Sequence, residues 1–371
     1  MFAKGQTIIQ FLERFAPKAY AVPDDKIGLQ LGSLQKDVGK VLVALDVTEE
    51  VVQEAVREQA GLIVAHHAII YRPLAHLRTD TPAGRLYEKL IKEDIAVYIA
   101  HTNLDTAEGG VNDWLAAPLG LEKLQILDEL HEDALKKLVV FVPEGHEDQV
   151  RQAMFAAGAG HIGQYSSCSF NIAGTGTFLP QEGTTPFIGS PGRLERVREV
   201  RIETIVPGSL ERKVVQAMLK AHPYEEAAYD LYPLDLPGKR IGLGRVGTLA
   251  EAVTLDELVR RTKAAYDVPM VRVVGDLQRP VRKVAVLGGS GSRYVSRALH
   301  AGADVLITGD IDYHTAHDAL AAGIALIDPG HNVEKVMKAG VADYLNTALR
   351  EGGYETTAVA SQVNTEPFQF R

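Results

Sequence analysis

Cysteine is almost missing from this chain. Cys168 is the only one, which excludes an internal disulfide and any cysteine-rich zinc site. Long apolar runs are missing too: none approaches the ~18 residues of a membrane-spanning helix. Positive charge is not in excess. Lys and Arg number 39 against 48 Asp and Glu, a formal net charge of −9. A nucleic-acid-binding surface normally shows a basic patch, so nucleic acid is disfavoured as a partner. Met1-Phe2-Ala3-Lys4-Gly5-Gln6 lacks the charged-then-apolar plan of a secretory signal. The expectation is a cytoplasmic protein with no membrane partner, in which only histidine and carboxylate could hold a metal.

Such residues are present, and they are placed alike. Leu62-Ile63-Val64-Ala65 runs into His66-His67, and Ala96-Val97-Tyr98-Ile99-Ala100 into His101, with Asp105 four residues on. Asp304-Val305-Leu306-Ile307-Thr308-Gly309 runs into Asp310, followed by His314 and His317. Ile324-Ala325-Leu326-Ile327 runs into Asp328, then His331 and Glu334. Short apolar runs read as buried strands. Ligands of open α/β sheets gather beyond the carboxyl ends of their strands. The repetition suggests one metal site, built from two distant stretches of chain.

The fold class reads as α/β: two α/β halves with mostly parallel sheets form the metal-binding core, and an α+β domain is inserted between them. Residues 1–130 alternate strand and helix patterns. Thr48 is placed to cap a helix carrying Val51, Val52, Ala55 and Val56. Residues 131–237 follow the order β-α-β-β-α-β of a ferredoxin-like sandwich, with a Gly/Pro/Ser-rich loop from Pro186 to Arg193. Residues 238–371 return to β-α alternation.

Each constellation has a plainer reading. The His pair could be one buried and one solvated imidazole. Asp105 could bridge two ions, with His101 ligating or supporting, or Asn103 and Asp105 could be turn residues. His331 and Glu334, three apart, share a helix face; alternatively Asn332 caps the helix. His314 and His317 are open between ligand, supporting group and substrate contact. Gly288-Gly289-Ser290-Gly291-Ser292-Arg293 reads as a tight strand-to-helix turn that could also cradle an anion. His222-Pro223-Tyr224-Glu225-Glu226 reads as a rigid turn with solvated carboxylates.

Taken together, Asp25-Lys26-Ile27-Gly28-Leu29, Val64-Ala65-His66-His67, His101-Thr102-Asn103-Leu104-Asp105, Gly288-Gly289-Ser290-Gly291-Ser292, Ile307-Thr308-Gly309-Asp310 and Gly330-His331-Asn332-Val333-Glu334 resemble a family. It is the NIF-three-like dinuclear-metal-centre hexameric proteins, often labelled GTP cyclohydrolase type 1 homologues. The insert resembles the extra domain of the family's longer members, which is similar to trimeric metal-tolerance and nitrogen-regulatory proteins. The resemblance implies metal ligands at His66, His67, Asp105, His331 and Glu334, with Glu334 bridging two divalent ions per subunit. It also implies a homohexameric ring. The family often has Pro where this chain has Ala68, and many short members space the last His and Glu by four rather than three.

His and carboxylate donors suit Zn, Mn, Fe or Co. Two ions about 3.5–4 Å apart can hold a hydroxide nucleophile and clamp a substrate oxygen. The implied function is a metal-dependent hydrolase acting on a nucleotide or phosphorylated small molecule, with attack on the guanine ring of GTP suggested by the family label. In that reading the Gly288 loop and Arg293 contact the triphosphate, and His101 or His314 shuttles protons. Alternatives are a phosphoesterase and a non-catalytic metal-binding or regulatory ring.

Overall fold

A computed structural model describes residues 1–369. The described residues divide into two compact units, 1–130 with 241–369, and 131–240.

The first unit holds two large mixed sheets. One has the strand order Thr357–Ala360, Lys40–Ala44, Leu62–Ala65, Ala96–Ile99, Gly28–Leu31. Its first four strands pair in parallel and the last antiparallel. Leu62–Ala65 and Ala96–Ile99 are buried at every position, because helices or loops cover both faces of the sheet. That explains why they read as unbroken apolar runs rather than alternating ones. The other sheet has the order Arg272–Val274, Ala325–Asp328, Val305–Gly309, Pro280–Ser290, Lys239–Thr254, Glu122–Asp133. Its Pro280–Ser290, Val305–Gly309 and Ala325–Asp328 strands are parallel neighbours.

Local chemistry sets the connecting helices. Thr48 caps Glu49–Arg57 through the Val51 amide, and Thr81 caps Pro82–Lys92 through the Gly84 amide. Pro82 costs that helix nothing, since an N–H there would have no helical partner. The helix Val336–Glu351 buries Met337, Val341, Leu345 and Leu349 against the first sheet.

Arg245 fastens the helix Val111–Ala116 to the second sheet. It is buried, donates to both oxygens of Asp113 at 2.8 Å, and also reaches the carbonyls of Gly242, Gly244 and Ala107. Removing one partner of such a pair strands the other and empties several hydrogen bonds. Arg245→Ala is expected to cost about 3–5 kcal/mol, read as a lower urea midpoint. An unchanged midpoint would contradict this role.

The second unit runs Leu135–Pro143 (strand), Glu147–Ala156 (helix), Ser169–Phe178 and Glu195–Pro207 (strands), Glu211–Ala221 (helix), Tyr229–Pro233 (strand). Its antiparallel sheet has the spatial order Tyr229–Pro233, Leu135–Pro143, Glu195–Pro207, Ser169–Phe178. Leu138, Val140, Val142, Ile202 and Val206 meet Val150, Met154, Val214 and Met218 of the helices in one core.

Among the described residues, no helix is long and apolar enough to cross a membrane.

Candidate metal centre

The carboxyl ends of strands from both sheets of the first unit converge. After Leu62–Ala65 the backbone leaves the sheet: the amides of His66 and His67 both turn to Leu45 O. This departure lets two adjacent imidazoles share one site, with ring centres 5.2 Å apart. His101 follows Ala96–Ile99 and opens the short helix Thr102–Thr106, which carries Asp105. From the other sheet, Ala325–Asp328 leads through Gly330, at φ +85°, into a 3-10 turn His331–Lys335. In a 3-10 turn residues three apart eclipse, so the three-residue spacing aligns His331 with Glu334. Asn332 is inside this turn and does not cap the long helix, which starts at Val336.

Three donor groups result: His66, Asp105 and Glu334; His67, His331 and Glu334; and His66, His67 and His101. Within each, one ligand atom per residue lies within 4.8 Å of the others. Glu334 is 3% exposed, and its Oε2 lies 3.2 Å from Nε2 of both His67 and His331 and 3.7 Å from that of His66.

The histidines are oriented from behind. Nδ1 of His67 donates to Asp46 Oδ1 at 2.7 Å, that of His331 to Asp310 Oδ2 at 2.7 Å, that of His101 to Asp25 Oδ1 at 2.9 Å, and that of His66 to Ala100 O at 2.8 Å. A carboxylate or carbonyl only accepts, so each Nδ1 carries its hydrogen. In the neutral ring, Nε2 then has a lone pair free for a metal. Asp310 holds its position at φ +57°, a left-handed conformation that Asp tolerates. Asn112, fully buried, donates to Asp105 O and accepts from the Gly288 amide, both at 2.9 Å, joining two walls of the site.

The fit to a cation rests on two atoms. His66 Nε2 and Asp105 Oδ1 are buried with no hydrogen-bond partner, yet they face each other 3.5 Å apart. Buried polar atoms are rarely left unsatisfied. The electrostatics agree. Burial opposes charge on His67, but its bonds to Asp46 and Glu334 outweigh it and raise its pKa from 6.5 to about 10. The Glu334 contact leads in raising His331 to about 9. Burial lifts Asp105 to about 6; Glu334 is buried as well, but neighbouring imidazoles, His66 foremost, hold it well below the ordinary carboxylate value. The cluster calls for positive charge among its Nε2 atoms. Divalent cations would supply it without charging several adjacent rings.

Beside the cluster lies a cavity of about 800 Å³, whose walls include His67, Asp310, His331, Arg272 and Phe368. The segment after Ala360 reaches it: Ser361 and Gln362 donate to Glu54, and Thr365 donates to Asp46.

The structure thus brings together His66, His67, Asp105, His331 and Glu334, with His101 alongside. His314 and His317 instead stand exposed on the helix Tyr313–Ala322, packed on Tyr313, and join no donor group among the described residues. The Gly288 run does hold the tight strand-to-helix turn expected, but the turn comes later, at Gly291, with Ser292–Tyr294 leading into the helix Val295–His300. The strand before it continues to Ser290, and what the run approaches is Glu334. Arg293 stacks over Tyr294. Sequence reasoning gave no role to Asp46 or Asp25. Asp46 carried the same signal as the others, since Val41–Leu45 is an apolar run that ends on it. Asp46→Ala is expected to free the His67 ring and weaken metal binding about 10–100-fold, as measured by metal titration. Unaltered affinity would remove Asp46 from the site.

A family model described as Duf34/NIF3 (NGG1p interacting factor 3) matches residues 3–367. A relative from Halalkalibacterium halodurans, named GTP cyclohydrolase 1 type 2 homolog, is 56% identical over 99% of both chains. A Bacillus subtilis protein of the same name is 52% identical over 99% of this chain and 98% of its own. Among solved structures, a Bacillus cereus protein related to NIF3 superposes with a TM-score of 0.95 at 52% identity, covering 100% of each chain. A Staphylococcus aureus protein superposes at 0.80 with 31% identity, covering 100% of this chain and 99% of its own.

Proposed function

The chain belongs to the Duf34/NIF3 family, and on that premise we propose that it is a dinuclear metal-dependent hydrolase acting on a nucleotide or phosphorylated small molecule. The observation that carries the reading is the pair of donor triads that share Glu334, with unpartnered His66 Nε2 and Asp105 Oδ1 facing each other inside the first of them. One ion would be held by His66, Asp105 and Glu334, and the other by His67, His331 and Glu334. Two divalent ions there supply Lewis acidity toward a substrate oxygen and a water acidic enough to ionise near neutral pH.

The chain's own residues do the rest. Asp46, Asp310 and the Ala100 carbonyl keep Nε2 of His67, His331 and His66 aimed inward. His101 has a fixed ring and a one-third exposed side chain. Those two properties suit it to passing a proton between the cluster and solvent. The cavity of about 800 Å³ falls within the range of small-molecule sites. The name carried by the relatives makes GTP the first substrate to test.

The strand order of 131–240 supports reading that unit as a ferredoxin-like insert. We extend the proposal to a homohexameric ring in the cytoplasm. Light scattering is expected to give about six chains per particle; a monomer would refute the ring.

The functional test is turnover by metal-loaded protein on GTP and a panel of phosphoesters. Activity on either, reduced by Glu334→Ala more than about 100-fold, supports the hydrolase. Fully metal-loaded protein that is inert toward GTP and the whole panel would favour the non-catalytic binding role.

A further inference from the structure

The second unit contains a cavity of about 410 Å³ that shares no residue with the metal centre. Phe141, Phe178, Phe187 and Tyr224 contribute aromatic walls, and the ring of Tyr224 lies 5.8 Å from Phe178 and 6.3 Å from Phe187. The loop bearing Phe187 is tied down where the Thr185 amide donates to the Glu225 carboxylate at 3.2 Å.

Glu199 points into this cavity. It is only 8% exposed, and its Oε1 accepts from the Tyr224 hydroxyl at 3.1 Å. Its Oε2 lies over Gly176, where a Cβ would fall 2.1 Å away, and receives no hydrogen bond among the described residues. Among the described residues no lysine, arginine or histidine forms an ion pair with Glu199; the guanidinium of Arg201 lies over the Phe141 ring at 5.9 Å. His222 sits beside Tyr224, but its Nδ1 accepts from the Tyr224 amide at 3.1 Å and its Nε2 donates to Phe141 O at 2.9 Å, which fixes the neutral ring. Arg201, two residues along the same strand face, turns to Glu203 at 3.0 Å. A carboxylate is rarely buried without a cationic partner.

The geometry points to a binding site for a small organic cation, an amine or quaternary ammonium carried on an apolar body. Aromatic faces attract such a cation through their quadrupoles, and Glu199 provides the counter-charge. A metal ion would gain nothing from aromatic walls, and an anion would meet Glu199.

The test is calorimetric titration of the full metal-loaded chain with benzyltrimethylammonium, benzylamine and the uncharged isostere neopentylbenzene. One cation per chain is expected to bind with a Kd below about 1 mM. The neutral isostere should bind at least about tenfold more weakly. Which of the two cations binds tighter distinguishes a quaternary from a primary ammonium site. Glu199→Gln keeps an acceptor for Tyr224 yet should weaken cation binding about tenfold or more, as should Phe187→Ala in the loop. His67→Ala should leave it unchanged. The site is refuted if the cations do not saturate by about 10 mM, if the isostere binds equally, if both cavity variants bind normally, or if His67→Ala abolishes binding.

Discussion

Glu334→Ala is expected to lose both metal ions, whereas Asp105→Ala is expected to lose one. The asymmetry follows from the donor sets: His66 with Asp105, and His67 with His331, share only Glu334. Removing Glu334 takes one anionic donor from each position and leaves the second with imidazoles alone. Removing Asp105 leaves His67, His331 and Glu334 intact. Metal content per folded chain after dialysis checks this. A full complement in Glu334→Ala, or equal loss in both variants, would show that Glu334 is not the shared ligand. Glu334 is also the buried counter-charge for three histidines, so folding of the variant should be verified by circular dichroism.

Gly289→Val is expected to damage the same site without removing a ligand. Gly289 sits at φ +64°, and a Cβ there would lie 2.5 Å from Glu334 Oε1 and 3.3 Å from His331 Nε2. Left-handed backbone costs a non-glycine residue about 1–2 kcal/mol, and the valine methyls would drive Glu334 out of a pocket that gives it little room. Metal affinity should fall by about 10–100-fold along with stability. Gly353→Val is the control: φ is +75° there, but nothing lies within 4 Å of the added Cβ. It should share the backbone cost and keep normal metal affinity. Equal affinity loss in both would assign the effect to backbone strain. Full affinity in Gly289→Val would show that the carboxylate can move.

Much of the arrangement was legible because buried parallel strands leave a simple trace, an unbroken apolar run, and the donors stand just beyond its end. His66, His67, His101 and His331, which the structure brings together, stand at or just past such ends; Asp310 ends a run as well but holds the His331 ring and joins no donor group among the described residues. Asp46 follows the same rule but is a single carboxylate just before the Thr48 helix cap, with no second donor beside it in sequence. Asp25 had no such trace. It lies in a loop without periodicity and reaches His101 and Thr102 across 76 and 77 residues of sequence. The pairing of Thr357–Ala360 with Lys40–Ala44 was equally hidden, since nothing local in four residues specifies so distant a neighbour. Yet that strand is what brings Thr365 back to Asp46. His314 and His317 show the opposite case: histidines close in sequence to the donors, turned outward by the phase of their helix.

The most direct test of the two-metal account is an anomalous-difference map from crystals of protein purified without chelator, collected at the absorption edge of the metal it carries. The account predicts two peaks about 3.5–4 Å apart, one beside His66 and Asp105, the other beside His67 and His331, with Glu334 between them. A single peak, or metal bound away from Glu334, would contradict it.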